Sequence, residues 1–532
     1  MTIPGHPLTP PLTGEGEIGK IYIVGAGPGD PGLITVRGRE CLAMADAVVY
    51  DHLIHPELLA LCSGAEQIYV GKRSARHSLP QEEINALLIA LSRRYRVIVR
   101  LKGGDPFLFG RGGEEALALT AAGIPWEVVP GVTSGYAAPA YAGIPVTHRG
   151  LSAAAIFVTV HDDASLSRLE TLLHGWHPEI TLICFMAARR CSVVAGRMLR
   201  MGLPEDLPAA WVRWGTWGIQ ETRVTTLAGL RSLPPDAVEP PALLVVGPTV
   251  VLRDQLNWFE RRPLHGVRIV LTHTENRVGP LETRLRTLGA EVFLFPVFRL
   301  EPLPESRTAA LDPYDWLVLT SVNAVRFLAE TLEQQQRDLR SFPSLRIAAV
   351  GEATCHAARA MHLCPDITPD GYDAEALIRL MMERDQGRPV RGRRILLPCS
   401  DLTRTSLARA LRNAGAEVTE LASHRVVPMP EDAERLAALA RFQPQLVLFT
   451  NAKAVRAFHA LTRLQFSQAC PDAVFGVLGP VTAAAAVECG YPPVLQPAMH
   501  TVDALVDTVV RHFRRNPIRD TGSGTPRSQN QP

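Results

Sequence analysis

Short apolar runs alternate with amphipathic stretches along most of the chain. Ile21–Val24, Ala47–Tyr50, Val97–Leu101, Ile156–Val160, Thr181–Phe185 and Leu243–Val246 are rich in Val, Ile and Leu, and several end at Gly or Asp. Runs this short and uniformly apolar predict strands covered on both faces. Between two of them, Ser78-Leu79-Pro80-Gln81 has capping-box spacing, and Ile84, Leu87, Leu88 and Leu91 share one helical face. The rhythm is βαβ, so the expected class is α/β. Gly135–Pro145, rich in Ala, Gly and Pro, predicts a hinge between two lobes of the first half. Asn257–Gly266 then joins that half to a new apolar run, Val267–Thr272.

The second half repeats itself. TSVNAVRF at Thr320–Phe327 returns as TNAKAVRAF at Thr450–Phe458, and AAVGEAT at Ala348–Thr354 returns as GVLGPVT at Gly476–Thr482. Upstream, Gly289-Ala290-Glu291-Val292 matches Gly415-Ala416-Glu417-Val418, and Arg299 matches Arg425. An offset of 126 to 130 residues through all these motifs marks a duplicated unit, and predicts two similar lobes with a cleft between them.

Composition narrows the function classes. A net charge of +2 gives no bulk attraction to nucleic acid or to a membrane surface. Nine scattered cysteines with no C-x-x-C exclude a zinc motif and a disulfide framework, and fit cytosolic thiols. No apolar run reaches the ~18 residues of a membrane span. The N-terminal residues 1–17, rich in Pro, Gly and Thr, lack a signal-peptide core and predict a disordered lead-in, as residues 512–532 predict a disordered tail.

Chemistry concentrates in four glycine loops after predicted strands: Gly25–Asp30, Gly103–Pro106, Gly110–Glu115 and Pro130–Gly135. Glycines there let backbone approach a ligand at the carboxyl edge of a sheet. The first loop departs from a dinucleotide fingerprint. Its spacing is G-x-G-x-G, Asp30 occupies the last position, and Pro28 removes an amide, so a pyrophosphate cradle is disfavoured.

These segments carry a family resemblance. GAGPGDPGLITVRG (25–38), VGKRSARHSLPQEEIN (70–85), RLKGGDPFLFGRGGEE (100–115) and PGVTSGYAAPAYAGIPVTHRG (130–150) resemble uroporphyrinogen-III C-methyltransferase, over roughly residues 18–262. The resemblance implies a two-lobed class III tetrapyrrole methyltransferase fold, with lobes at about 18–140 and 141–250. It also implies S-adenosylmethionine as methyl donor, S-adenosylhomocysteine as product, and no metal. Pro28, Gly103, Gly104, Asp105, Leu108, Thr133, Ser134, Met186 and Gly215 match cofactor positions. Asp51 and Lys72 match the proposed proton acceptor and donor. Arg111, Glu114 and Arg149 match substrate positions, and His52 and Arg73 stand beside them. The implied substrate carries eight carboxylates, for which arginines are natural anchors. Other readings stay open: Asp51 and Lys72 as a plain ion pair, and Met186 as core. His52, Val160 and Ala187 depart from the residues usual in the family.

The duplicated half resembles uroporphyrinogen-III synthase over roughly residues 263–511, through RPLHGVRIVLT, both Thr-Ser/Asn-x-x-Ala-Val segments and both Gly-x-x-Thr loops. That family closes hydroxymethylbilane into a ring while inverting its last pyrrole. Thr320, Ser321, Thr354, Thr450, Asn451 and Thr482 are the candidates for steering the substrate, and any one of them alternatively caps a helix. His424 stands where a tyrosine is common and is expected at the cleft as a proton donor; His273 replaces a frequent arginine. The joint expectation is a bifunctional cytoplasmic enzyme, homodimeric through its first half, acting on hydroxymethylbilane, uroporphyrinogen III and precorrin-1. The alternative is a methyltransferase fused to an inactive tetrapyrrole-binding lobe, and a periplasmic-type two-lobed binding module is a structural rival.

Overall fold

The computed structural model describes residues 18–516, apart from 63, 72–78, 175–176, 178, 235, 275–278, 304–310, 312, 370–373, 386, 401–405 and 463–464. Lys72, Arg73, Ser78, residues 1–17 and residues 517–532 therefore lie outside the described residues. The start of the expected tail is corrected, because His512–Arg515 close the helix Val502–Arg515, whose buried face includes Phe513.

The first sheet is fully parallel. Its strands are β1 (Lys20–Gly25), β2 (Ala47–Tyr50), β3 (Glu66–Tyr69), β4 (Val97–Lys102) and β5 (Trp126–Val129), in the order β3-β2-β4-β1-β5. Helices cover both faces, as the continuous apolar runs require, and bury Ile21, Ile23 and Ile98 on one side and Val24, Val48 and Val99 on the other. The helix Gln81–Leu91 buries Ile84, Leu88 and Leu91, but its N-cap is Pro80 with no side-chain cap. The capping box is thus corrected. Gln81 starts the helix, and its amide donates to Asn85 and to the buried Glu115.

The second sheet is mixed: β6 (Ala154–Thr159), β7 (Ile180–Phe185), β8 (Pro208–Arg213), β9 (Glu221–Thr226) and β10 (Ala242–Val246), ordered β6-β7-β10-β8-β9. The segment expected as a hinge is mostly a helix, Ser134–Tyr141, lodged between the sheets. Its small residues serve close packing. A Cβ on Gly135 would lie 2.5 Å from the Phe185 ring, and Ala138 sits directly against Gly215.

The duplicated half forms one nine-stranded sheet. Its strands are β11 (Arg268–Thr274), β12 (Glu291–Pro302), β13 (Trp316–Leu319), β14 (Arg346–Ala349), β15 (Arg394–Ser400), β16 (Glu417–Pro428), β17 (Leu446–Phe449), β18 (Val474–Val477) and β19 (Pro493–Leu495). The order is β14-β13-β15-β16-β12-β11-β17-β18-β19. The repeats exchange strands. β11 pairs with β17 of the second copy, and β15 with β13 of the first. Each lobe therefore mixes both copies, which an offset in the sequence does not reveal. The twelve-residue β12 and β16 begin in opposite lobes and meet as an antiparallel ribbon, Phe298–Pro302 against His424–Pro428. Their polarity turns the carboxyl edges of both lobes toward that ribbon. Among the described residues, no helix is long and apolar enough to cross a membrane.

Candidate functional site

β4, β1 and β5 are neighbours, so the loops that follow them must meet. They meet backbone to backbone. Gly27 and Gly104 exchange hydrogen bonds at 3.2 and 2.7 Å, and a Cβ on Gly25 would lie 2.5 Å from Gly131 Cα. Gly27 and Gly104 hold positive φ, which a side chain would strain. Asp105 fastens the arrangement: its Oδ1 accepts from the amides of Phe107 and Leu108 at 2.8 and 3.1 Å, and its Oδ2 from Gly131 at 2.9 Å.

The second sheet supplies the facing wall. Phe109 packs edge-on against Phe185 at 5.0 Å, next to Met186. Met186 is 54% exposed at positive φ, so it is not core. Thr133 caps the helix Ser134–Tyr141 through the Gly135 amide. Asp30 ties the sheets together: its amide donates to Thr216 Oγ1 at 3.0 Å, and its carboxylate accepts from the Tyr141 hydroxyl at 2.7 Å. Burial, and then that carboxylate, raise the Tyr141 pKa well above the ordinary phenol. Phe109, Arg111, Met186, Trp214 and Thr216 all hold φ between 49° and 73°. Strain of about 1–3 kcal/mol at each such residue persists only where surroundings enforce it, and it clusters at functional sites. Pro28, Gly103, Gly104, Asp105, Leu108, Thr133, Ser134, Met186 and Gly215 are thus all part of this one set of interlocked loops. A glycine-lined surface that holds the carboxylates of Asp30 and Asp105 and an exposed methionine fits a sulfonium cofactor better than a pyrophosphate, which those carboxylates would repel.

Asp51 ends β2. Its Oδ1 accepts from the Leu53 amide at 3.1 Å, and its Oδ2 is 3.9 Å from Arg100 Nη2. The described partner of Asp51 is therefore Arg100, a buried residue the sequence reading passed over. Arg100 and Lys102 project from one face of β4 onto Glu115, at 3.1 and 2.8 Å. Burial, then the neighbouring Arg100, lower the Lys102 pKa. Their alternation inside an apolar run was the available signal, because cations buried in a central strand need a buried carboxylate. Arg111 lies in the left-handed region at the head of the helix Gly112–Ala121, and clasps Glu114 through two bonds of 2.9 and 2.7 Å. His52 is exposed. Arg149 stands apart, exposed within a turn closed by His148 and Ser152.

In the duplicated half the candidates divide. Ser321 and Asn451 are equivalent helix caps, accepting from Ala324 N at 3.1 Å and Ala454 N at 2.8 Å. Thr320 and Thr450, each half-buried, precede them. Thr354 and Thr482 are neither loop nor cap: each is the third residue of its helix, behind Gly351 and Gly479, and is nearly buried. His424 is corrected. It lies in the ribbon, 4% exposed, with its ring stacked on Phe327 at 4.8 Å and Nδ1 at 2.9 Å from Ser423 Oγ. A stacked, covered imidazole does not present a proton to a cleft. The side chain of His273 lies outside the described residues. Glu301 sits between Arg299 and Arg425, the two arginines of one repeat position, at 2.7 and 2.6 Å.

Comparison with known proteins follows this division. A family model described as tetrapyrrole (corrin/porphyrin) methylases matches residues 20–231, and one described as uroporphyrinogen-III synthase HemD matches 279–507. The porphyrin biosynthesis protein HemD of Ruminiclostridium josui is 33% identical over 453 residues, 84% of this chain and 89% of that protein. The chain belongs to this porphyrin-biosynthesis family. The chain carries a match to each of the two family models, so it is an enzyme chain with a methylase and a synthase domain. The uroporphyrinogen-III C-methyltransferase of Bacillus subtilis (strain 168) is 37% identical over 358 residues, 66% of this chain and 74% of that one. A uroporphyrin-III-C-methyltransferase structure from Thermus thermophilus is 40% identical, covering 45% of this chain and 97% of its own, with a TM-score of 0.37.

Proposed function

We propose that the synthase half closes hydroxymethylbilane to uroporphyrinogen III, and that the methylase half methylates this product at C2 and C7 to precorrin-2. The methyl donor is S-adenosylmethionine, which supplies an electrophilic methyl group when bound. The observation carrying this reading is the interlocking of the loops after β1, β4 and β5 with the residues after β7 and β8. Every residue matched to a cofactor position falls within that set. The surface aligns reactants, which is the main demand of methyl transfer to an electron-rich carbon.

Around it, Asp51 is the group that accepts the proton the macrocycle releases as the methyl group arrives. That proton leaves from a position other than the methylated carbon, which is then fully substituted. Arg100 keeps the Asp51 carboxylate oriented. Arg111 and Arg149 anchor substrate carboxylates. In the synthase half, Thr354 and Thr482 occupy equivalent helix starts at the carboxyl edges of the two lobes, where hydroxyls suit the steering of a reactive intermediate. The product serves sirohaem or cobalamin synthesis, in the cytoplasm, by a homodimer. The test is to supply the full chain with hydroxymethylbilane, with and without S-adenosylmethionine. The type III ring is expected alone, and its dimethylated form with the cofactor. Type I ring only would leave an inactive binding lobe; unmethylated type III would remove the methylase assignment.

A further inference from the structure

Glu291, the first residue of β12, belongs to the synthase half, yet it is buried against the methylase half. Its Oε2 accepts from the Gly218 amide at 2.6 Å, and its Oε1 stands 3.5 Å from His55 Nε2. His55 Nδ1 accepts from the Glu57 amide at 3.3 Å, so Nε2 is the nitrogen that donates toward Glu291. The backbones are equally close. A Cβ on Gly218 would lie 2.8 Å from Glu291 N, and Gly266 N donates to Gly218 O at 2.9 Å. Arg286 of the synthase half also pairs with Glu57.

What Glu291 grips is the turn that shapes the cofactor loops. Gly218 lies within the segment Trp214–Gln220, in which Trp214 and Thr216 hold positive φ. Thr216 receives the Asp30 amide, and Trp217 packs on His55 at 4.7 Å. The Trp217 indole also lies against Gly29, where any Cβ would collide with it. Gly215 of this turn and Pro28 of the facing loop are cofactor positions. A turn in this conformation needs anchors, and one of them comes from the other enzyme domain.

We propose that Glu291 is a positioning residue of the methyl-donor site, so that the synthase half completes the methylase. The inference rests on the cofactor assignment made above, and on its extension to Gly215 and Pro28. The experiment uses the full chain, with S-adenosylhomocysteine affinity read by calorimetry. Failure of the wild type to bind S-adenosylhomocysteine would defeat the cofactor assignment, separately from the role of Glu291. Given binding, Glu291→Ala strips the acceptor from the Gly218 amide and should raise the Kd about tenfold. The KM for S-adenosylmethionine should rise with it, at nearly constant kcat, while cyclisation keeps its wild-type rate. Glu291→Gln retains an acceptor oxygen and should recover most of the affinity. Gly218→Ala pushes the same contact apart from the methylase side and should reproduce the loss. An unchanged Kd in Glu291→Ala and Gly218→Ala overturns the proposal. So does a parallel loss of cyclisation with no rescue by Glu291→Gln, which would mark Glu291 as a general folding residue.

Discussion

Asp105 Oδ2 accepts a hydrogen bond from the Gly131 amide at 2.9 Å, joining the loop after β4 to the loop after β5. With the Phe107 and Leu108 amides on Oδ1, both oxygens of this carboxylate serve backbone donors. This arrangement holds the two loops together, and the expected outcome follows from that holding role. Asp105→Ala leaves three amides without their acceptor, at about 1–3 kcal/mol for each that stays buried. Affinity for S-adenosylmethionine and S-adenosylhomocysteine should fall by the same factor, tenfold or more. Calorimetry showing a much larger loss for the sulfonium form would restore an electrostatic role.

Arg111 and Glu114 form a bidentate pair in solvent, with both side chains about half exposed. Such a pair exchanges readily for a substrate carboxylate. Arg111→Ala and Arg149→Ala should each weaken porphyrinogen binding about tenfold, the equivalent of a charge-assisted hydrogen bond, and leave S-adenosylhomocysteine affinity unchanged. Glu114→Gln removes the internal competitor and should tighten porphyrinogen binding. Titration of the three variants with each ligand checks all of this. Equal losses for both ligands would refute the anchoring role.

The strands legible in the sequence were those covered on both faces. β1, β2, β4, β7 and β10 are central and largely apolar, apart from Lys20 in β1 and Arg100 and Lys102 in β4, and the apolar runs located them within a residue or two. β3, β5 and β9 are edge strands, and β9, ETRVTT, carries no apolar run at all. The duplication was legible as an offset, but the strand exchange was not, because β11 and β15 carry equally apolar cores that suit either partner. The glycine loops were legible for a physical reason: close backbone approach excludes side chains at Gly25 and Gly131. Arg100, Glu115 and Glu291 were not, since each owes its role to a partner distant in sequence, from 15 to 73 residues away. His424 misled because substitution at a family position says nothing of whether the ring is covered.

His265 tests the junction by pH. Its Nε2 lies 2.8 Å from Gln220 O, and its neighbours include Phe259, Glu260, Arg253 and Arg262. Burial pushes its pKa below the ordinary 6.5, so the unfolded chain binds the proton more readily than the folded one. The stability this contributes is complete above pH 6.5 and is lost as pH falls below it. Glu57, whose carboxyl is raised by burial, acts in the opposite sense from about 4.5 upward. Comparison with His265→Gln, which keeps a donor for Gln220 O, isolates the histidine. Between pH 7.5 and 5.5, roughly one unit either side of the ordinary imidazole value, the wild type should lose more Tm than the variant. Parallel Tm curves would show that His265 does not titrate with unfolding.

The last test separates caps from chemistry in the synthase half. Ser321 and Asn451 spend their side chains on the amides of Ala324 and Ala454. Alanine at either should cost about 1 kcal/mol of stability, with the product ratio preserved. Thr354 and Thr482 sit further along the same repeats, within later helices, and their hydroxyls make no hydrogen bond among the described residues. Valine there keeps the branched shape and removes only the hydroxyl, so stability should change little. If these hydroxyls steer the ring closure, Thr354→Val and Thr482→Val should each slow cyclisation about tenfold, equivalent to ~1.4 kcal/mol in the transition state. The share of type I ring should rise, because the reactive intermediate then closes without guidance. Methylation of supplied uroporphyrinogen III should be untouched. Chromatography of the oxidised products reads rate and isomer ratio together. A wild-type ratio in the Thr354→Val/Thr482→Val double variant would remove the hydroxyls from the mechanism and leave the backbone amides behind Gly351 and Gly479 to orient the substrate.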